Sequence, residues 1–230
     1  THPEYFALQP GGSRTGYPAP ELAKLCQSNP TVWEQWLRDT AEKLKANPNM
    51  TVFNASPNDS WIHGHCVCKD CLAWDRQRGA ERRFMWEGVT TTYVALSDRH
   101  VSFANRCAHL LKKRYPDRNY QVLMLAYGNS RPPPVEAVPA DNVLISNVAN
   151  MFWSLESTDR GAVEKVRHSV NYAGWGDVTR NQIWRPNTGN PAGWMNGLPD
   201  VPIARVMRTF NFALQHGCVG VLVDTIWEHW

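Results

Sequence analysis

Apolar positions follow two rhythms along the chain. From Thr31 to Ala46 they recur every three or four residues (Val32, Trp36, Leu37, Ala41, Leu44), which marks one face of a helix. Asn29 or Thr31 caps its start and Asn47-Pro48 ends it. The same steps return at Val101, Ala104, Ala108 and Leu111, with Cys107 beside them. They predict a second helix, capped by Ser97-Asp98 and closed by Tyr115-Pro116. Short apolar runs predict strands at Thr51 to Ala55, Val122 to Ala126 and Val143 to Val148, the last two with the continuous pattern of buried parallel strands. A helix from about Asp159 to Tyr172, a strand from Asn181 to Trp184, a helix from about Pro202 to His216 and a strand from Cys218 to Val223 complete the pattern. Gly217 is read as the residue just past the last helix. Residues 1 to 30, rich in Pro and Gly, read as a long ordered loop, and Trp74 to Glu87 as a charged segment.

Strand, polar turn and helix thus repeat about five times, the alternation of an α/β protein with a parallel sheet. A full (β/α)8 barrel takes about 250 residues or more. The 230 residues therefore read as one TIM-barrel-like domain, a partial (β/α)8 barrel lacking its first units. A doubly wound open sheet is the competing architecture, but no Gly-rich phosphate loop follows any strand. A partial barrel exposes sheet edges, so the isolated chain is expected to be poorly soluble. Its start at Thr1, without a signal-peptide pattern, reads as a processed or excised segment.

Composition removes two classes of partner. The net charge is only +3, and the basic clusters Arg82-Arg83 and Lys112-Lys113-Arg114 read as solvated faces of helix-like segments, so no nucleic acid is expected. No apolar run reaches the roughly 18 to 20 residues that span a bilayer, so no membrane insertion is expected. Eleven tryptophans are unusual. Most read as core, while Trp61, Trp153, Trp184 and Trp194 sit beside turns and are candidates for the wall of a cleft.

The strand ends carry carboxylates mixed with amides, Tyr and Trp, a set suited to a polyhydroxylated ligand. Glycoside hydrolysis needs two carboxyl groups about 5 to 10 Å apart. Asp59 with Asp224 or Glu228 would supply them if the barrel closes, although an Asn-Asp pair also commonly just caps a turn. Asn58, Tyr127, Asn150, Trp153 and Trp184 are the candidate substrate-binding residues.

Cys66, Cys68 and Cys71 form C-x-C-x2-C, with His63 and His65 just before it. With Cys26 as a fourth thiolate they would make a closed structural zinc site. Two disulfides, or plain free thiols, are the alternatives. In each case the cluster pins the loop that carries Asp59, and His63 and His65 are read as loop residues rather than ligands. Cys107 and Cys218 read as core.

The segments HPEYFAL, LCQSNP, SPND, CxCxxC and FANRCAHLLKKRYPDR, with the later LAYGNSRPPP and DNVLIS, resemble an uncharacterised bacterial domain family related to α-glucuronidases and β-hexosaminidases. The likeness spans nearly the whole chain. It implies a TIM-barrel glycoside-hydrolase-like fold, a carbohydrate substrate and Asp59 as general acid on about the fourth barrel strand. Two positions depart from it: Arg185 stands where an acidic residue is implied, and Asp224 where Glu is. These leave two expectations: a glycoside hydrolase acting on a complex polysaccharide or glycan, or a non-catalytic carbohydrate-binding barrel. The expected location is secreted or periplasmic.

Overall fold

The computed structural model describes residues 2–14, 23–58, 64–76, 79–86, 89–151, 159–186 and 203–222. The chain separates into two compact units, Thr1–Leu144 and Ile145–Trp230. It is a mixed α/β protein. Five strands share one sheet in the order β1 (Val52–Asn54), β4 (Gln121–Ala126), β5 (Val143–Val148), β6 (Gln182–Arg185), β7 (Cys218–Val221). The pairs β1–β4, β5–β6 and β6–β7 are parallel.

In the first unit, α1 (Pro30–Ala46) begins where Asn29 Oδ1 accepts the Thr31 N–H at 3.0 Å, the capping expected of Asn. Its Trp36 indole donates to the Asn54 carbonyl at 2.9 Å and so ties α1 to the end of β1. The helix α3 (Ser97–Arg114) buries the anticipated stripe, with Val101, Ala104, Cys107, Ala108 and Leu111 all at 0% exposure. Ser97 and Asp98 do not cap it, because the helix already begins at Ser97 and has no side-chain cap. Ser97 Oγ instead donates to Pro132 O at 2.5 Å. The Asp98 carboxylate accepts the Val135, Glu136 and Ala137 N–H groups, each at 2.8 Å. A carboxylate satisfies three backbone donors better than an amide would, and this one fixes the proline-rich run between β4 and β5. That connection holds a short 3-10 turn at Gly128–Ser130 and no α-helix, so the strand–helix alternation lapses there.

Two further elements lie between β1 and α3: the four-residue helix α2 (Lys69–Leu72) and an antiparallel hairpin of β2 (Glu81–Trp86) and β3 (Val89–Val94). The stretch read as a charged segment therefore ends in a strand, and Arg82-Arg83 lie on that strand rather than on a helix.

In the second unit, β5 is buried along its full length, as its unbroken apolar run requires. The helices α4 (Asp159–Val178) and α5 (Ile203–Gln215) flank β6 in sequence. Gly217 follows α5 at φ +84, the left-handed residue that stops the helix. The core here gathers Ala149, Met151, Tyr172, Trp184, Ala213 and Cys218.

Candidate functional site

The cysteine spacing becomes a cluster once the N-terminal segment is laid against the loop after β1. Phe6 bridges Leu25, Cys26 N–H donates to Tyr5 O, and Val67 N–H donates to Leu8 O, so residues 5 to 8 run between the two cysteine-bearing segments. The Sγ atoms of Cys26, Cys66, Cys68 and Cys71 all lie within 4.8 Å of one another. Cys26 stands 3.6 Å from Cys68, 3.7 Å from Cys66 and 3.9 Å from Cys71. A disulfide needs about 2.05 Å, whereas a tetrahedral site with Zn–S of about 2.3 Å has S–S edges of about 3.8 Å. All six cysteines are free thiols, and the geometry of four of them fits a metal ion.

Outer contacts support the sulfurs. Leu8 N–H donates to Cys66 Sγ at 3.2 Å, and Cys71 N–H donates to Cys68 Sγ at 3.4 Å, where Cys68 is the N-cap of α2. The Ser28 hydroxyl sits 3.1 Å from Cys71 Sγ. Such second contacts orient thiolates and spread their charge. Protons are shared unevenly among Cys26, Cys66 and Cys71. Hydrogen bonds from Cys66 and Cys71 hold Cys26 far below the usual thiol range, with help from Ser28 and Arg14 against burial. The same bond to Cys26 raises Cys66 to about 11, and Cys71 is driven well above its usual value. A soft divalent cation bound here would displace the protons that Cys66 and Cys71 hold more tightly than usual.

Beside it lies a cleft of about 220 Å³, lined among others by Lys24, Asn58, His65, Cys66, Arg99 and Phe103. It sits where the chain leaves the C-terminal end of β1, since Ala55 to Asn58 form one of its walls. Lys24 Nζ donates to Asn58 O at 2.6 Å and Asn58 Oδ1 at 2.8 Å, and Asn58 Nδ2 donates to Ala23 O at 3.1 Å. Arg99 grips Asp75 through Nε at 2.9 Å and Nη2 at 2.5 Å, and its Nη1 donates to Cys66 O at 2.8 Å. Burial pushes the Asp75 carboxyl above the usual range while Arg99 pulls it back. His65, only 5% exposed, reaches Asn129 at 3.4 Å. Its ring lies 6.1 Å from that of His100, whose nitrogens have no hydrogen-bond partner among the described residues. Burial, reinforced by His65, Arg99 and Lys24, keeps His100 neutral.

Of the residues chosen from sequence, the four cysteines come together and Asn58 joins the cleft beside them. Tyr127 follows β4 and is not among the cleft's lining residues; Arg131 lies over its ring at 5.8 Å. In the other unit, Asn150 N–H donates to His168 Nδ1 at 3.0 Å. Trp184 is 1% exposed with its indole N–H on Ala149 O at 2.8 Å, so protein already covers the faces expected to take a sugar. Asp59, His63, Trp61, Trp153, Trp194, Asp224 and Glu228 lie outside the described residues. Sequence reasoning missed Lys24, Arg99 and His100, and it took His65 for an ordinary loop residue. The one available signal was that His65 precedes a cysteine of the cluster.

The described helices include none long and apolar enough to cross a membrane. No curated protein and no solved structure matches the chain. One family profile, described as Domain of unknown function (DUF4838), matches residues 1–230, and the chain belongs to that family.

Proposed function

We propose that the protein is a glycoside hydrolase acting on a complex polysaccharide or glycan, and that this chain contributes to a (β/α)8 barrel. The observation that carries this reading is the cleft at the C-terminal end of β1, the end of a parallel strand where α/β proteins bind their ligands. Its volume of about 220 Å³ is below the roughly 300–1,000 Å³ of drug-sized sites and suits one small polar ring. Lys24 and Arg99 are buried and bonded to Asn58, Asp75 and the Cys66 carbonyl, so they brace the wall, and the exposed Asn58 is the lining side chain this reading assigns to a hydroxyl group. Asp59 directly follows the anchored Asn58 and is the general acid in this reading, with Asp224 or Glu228 as its partner. The four cysteines hold one structural zinc ion, since four thiolates leave no open position for catalysis. Secretion or export to a periplasm accords with a polysaccharide substrate.

A second reading, a non-catalytic carbohydrate-binding barrel, is favoured by Arg185 at the end of β6, where the resemblance noted in the sequence implies an acid. Reducing-sugar release from a panel of polysaccharides, measured beside Asp59→Asn, separates the two. A hydrolase whose variant is slower by about a hundredfold or more supports the first reading. Binding without release by either protein supports the second. Release that is indifferent to Asp59→Asn removes Asp59 from the mechanism.

A further inference from the structure

We propose that the metal held by the four cysteines builds the cleft: it fixes the two segments that carry Lys24 and His65 and, through the Cys66 carbonyl, seats Arg99. This rests on the zinc reading of the cluster. Each cysteine-bearing segment brings a cleft residue with it. Cys26 lies two residues after Lys24, Cys66 lies one after His65 and itself lines the cleft, and Cys71 lies four before Asp75, the partner of Arg99. A change at the sulfurs is therefore a change at the cleft wall.

Little apolar packing holds these segments in place. The packed cluster at this point consists of Ala7, Cys26, Cys66 and Cys71, with Leu8 and Cys68 against it. Four of those six are the thiols themselves, so the apolar burial left without a metal is small. Regular structure is also scarce: α2 has four residues, well short of what a helix needs to stand alone. The remaining ties among the described residues are single backbone bonds, such as Ala7 N–H to Lys24 O at 3.0 Å, and a few side-chain bonds, among them Gln9 Nε2 to Gly64 O at 3.1 Å, Lys24 Nζ to Asn58, Asn58 Nδ2 to Ala23 O, Trp33 Nε1 to Gln27 O and Arg99 Nη1 to Cys66 O. Where a subcore is this small, metal binding supplies folding free energy directly. Charge is accommodated as well. Four thiolates and a divalent ion carry a net charge of −2, and the cluster has Arg14 hydrogen-bonded to Cys26 and Arg99 on the Cys66 carbonyl. Guanidinium groups cannot shed their charge, which suits them as permanent counter-ions.

The test needs no variant that risks failing to fold. Protein purified under reducing conditions is assayed for zinc, stripped with a chelator, and reloaded with zinc or cobalt(II). Amide hydrogen exchange is then followed in each state. The expected result is one zinc per chain and a cobalt spectrum of tetrahedral thiolate ligation. Protection over residues 23–28 and 64–72 should fall at least tenfold on stripping and return on reloading, while residues 104–111 of α3 are unchanged. Bound zinc with the same exchange in stripped and loaded protein overturns the coupling and leaves the zinc reading standing. Loss of protection throughout α3 and β4 also overturns it, because the metal would then hold the whole unit. Absence of both zinc and the cobalt thiolate band overturns the zinc reading and the coupling together.

Discussion

Removing the Asp75 carboxylate tests how the cleft is braced. The Asp75 and Arg99 side chains are 5% and 3% exposed, and two of the three Arg99 hydrogen bonds described above end on Asp75. Asp75→Ala strands a guanidinium that cannot deprotonate. Breaking a buried pair from one side costs about 3–5 kcal/mol. With a urea slope of about 2–3 kcal/mol per molar, the unfolding midpoint should drop by roughly 1–2 M. Arg99→Met leaves a different orphan. Burial already pushes the Asp75 carboxyl up, and loss of Arg99 removes the main opposing influence. The folded variant then holds a proton that the unfolded chain releases, so its stability falls as pH rises from the unfolded to the folded pKa. Arg99→Met should be milder at pH 5 than at pH 7.5, whereas Asp75→Ala should be equally damaging at both. Asp75→Leu with Arg99→Met, which removes both charges, should recover most of the loss. Urea unfolding of the wild type and these three variants at two pH values measures all of this. A cost below about 1 kcal/mol for Asp75→Ala, or a double variant as damaged as the sum of the singles, would refute the brace.

Three other outcomes follow from separate parts of the structure. Asp98→Asn keeps at most two of the three backbone N–H bonds and turns a donor toward the third, so it should cost about 2–3 kcal/mol in thermal or chemical unfolding; an unchanged midpoint would show that the 135–137 turn holds itself. Zinc binding should release at least two protons near neutral pH, because Cys66 (about 11) and Cys71 are raised and must bind as thiolates. Affinity should then strengthen by about a hundredfold per pH unit, and titration calorimetry in buffers of different ionisation enthalpy counts the protons. Gly176→Ala would place a Cβ 2.5 Å from the His216 carbonyl oxygen, so a drop of about 1–3 kcal/mol is expected, read from the melting temperature; a melt that does not move would contradict the close approach of α4 to residue 216.

Elements whose signal is local were legible in the sequence, and features made by contacts distant in the chain were not. The α3 stripe and the β5 run announce themselves because burial on one helix face or on both strand faces writes a period into the chain. The β2–β3 hairpin did not, since Glu81-Arg82-Arg83 reads as a charged surface until its pairing with Thr92, Tyr93 and Val94 is known. Asp98 looked like a cap by position, yet its acceptors serve residues 37 to 39 places further on. The C-x-C-x2-C spacing marked three ligands outright, while the fourth, Cys26, depends on the strand-like bridge at Phe6 and Leu25. Lys24 and Arg99 carry no local mark at all, and His65 only its place beside Cys66. They become a site only because Asn58, Asn129, Asp75 and Cys66 lie beside them in space.

In the reading proposed above, a sugar binds in the cleft at the end of β1. Its most direct test is an exchange footprint of the metal-loaded protein with and without a saturating oligosaccharide cut from whichever polysaccharide it binds. Added protection should centre on residues 23–27, 55–58, 64–66 and 99–103, the segments that carry the lining residues of the cleft. Saturable binding that leaves all four segments unchanged while protecting others, or no binding to any polysaccharide in the panel, would contradict the claim.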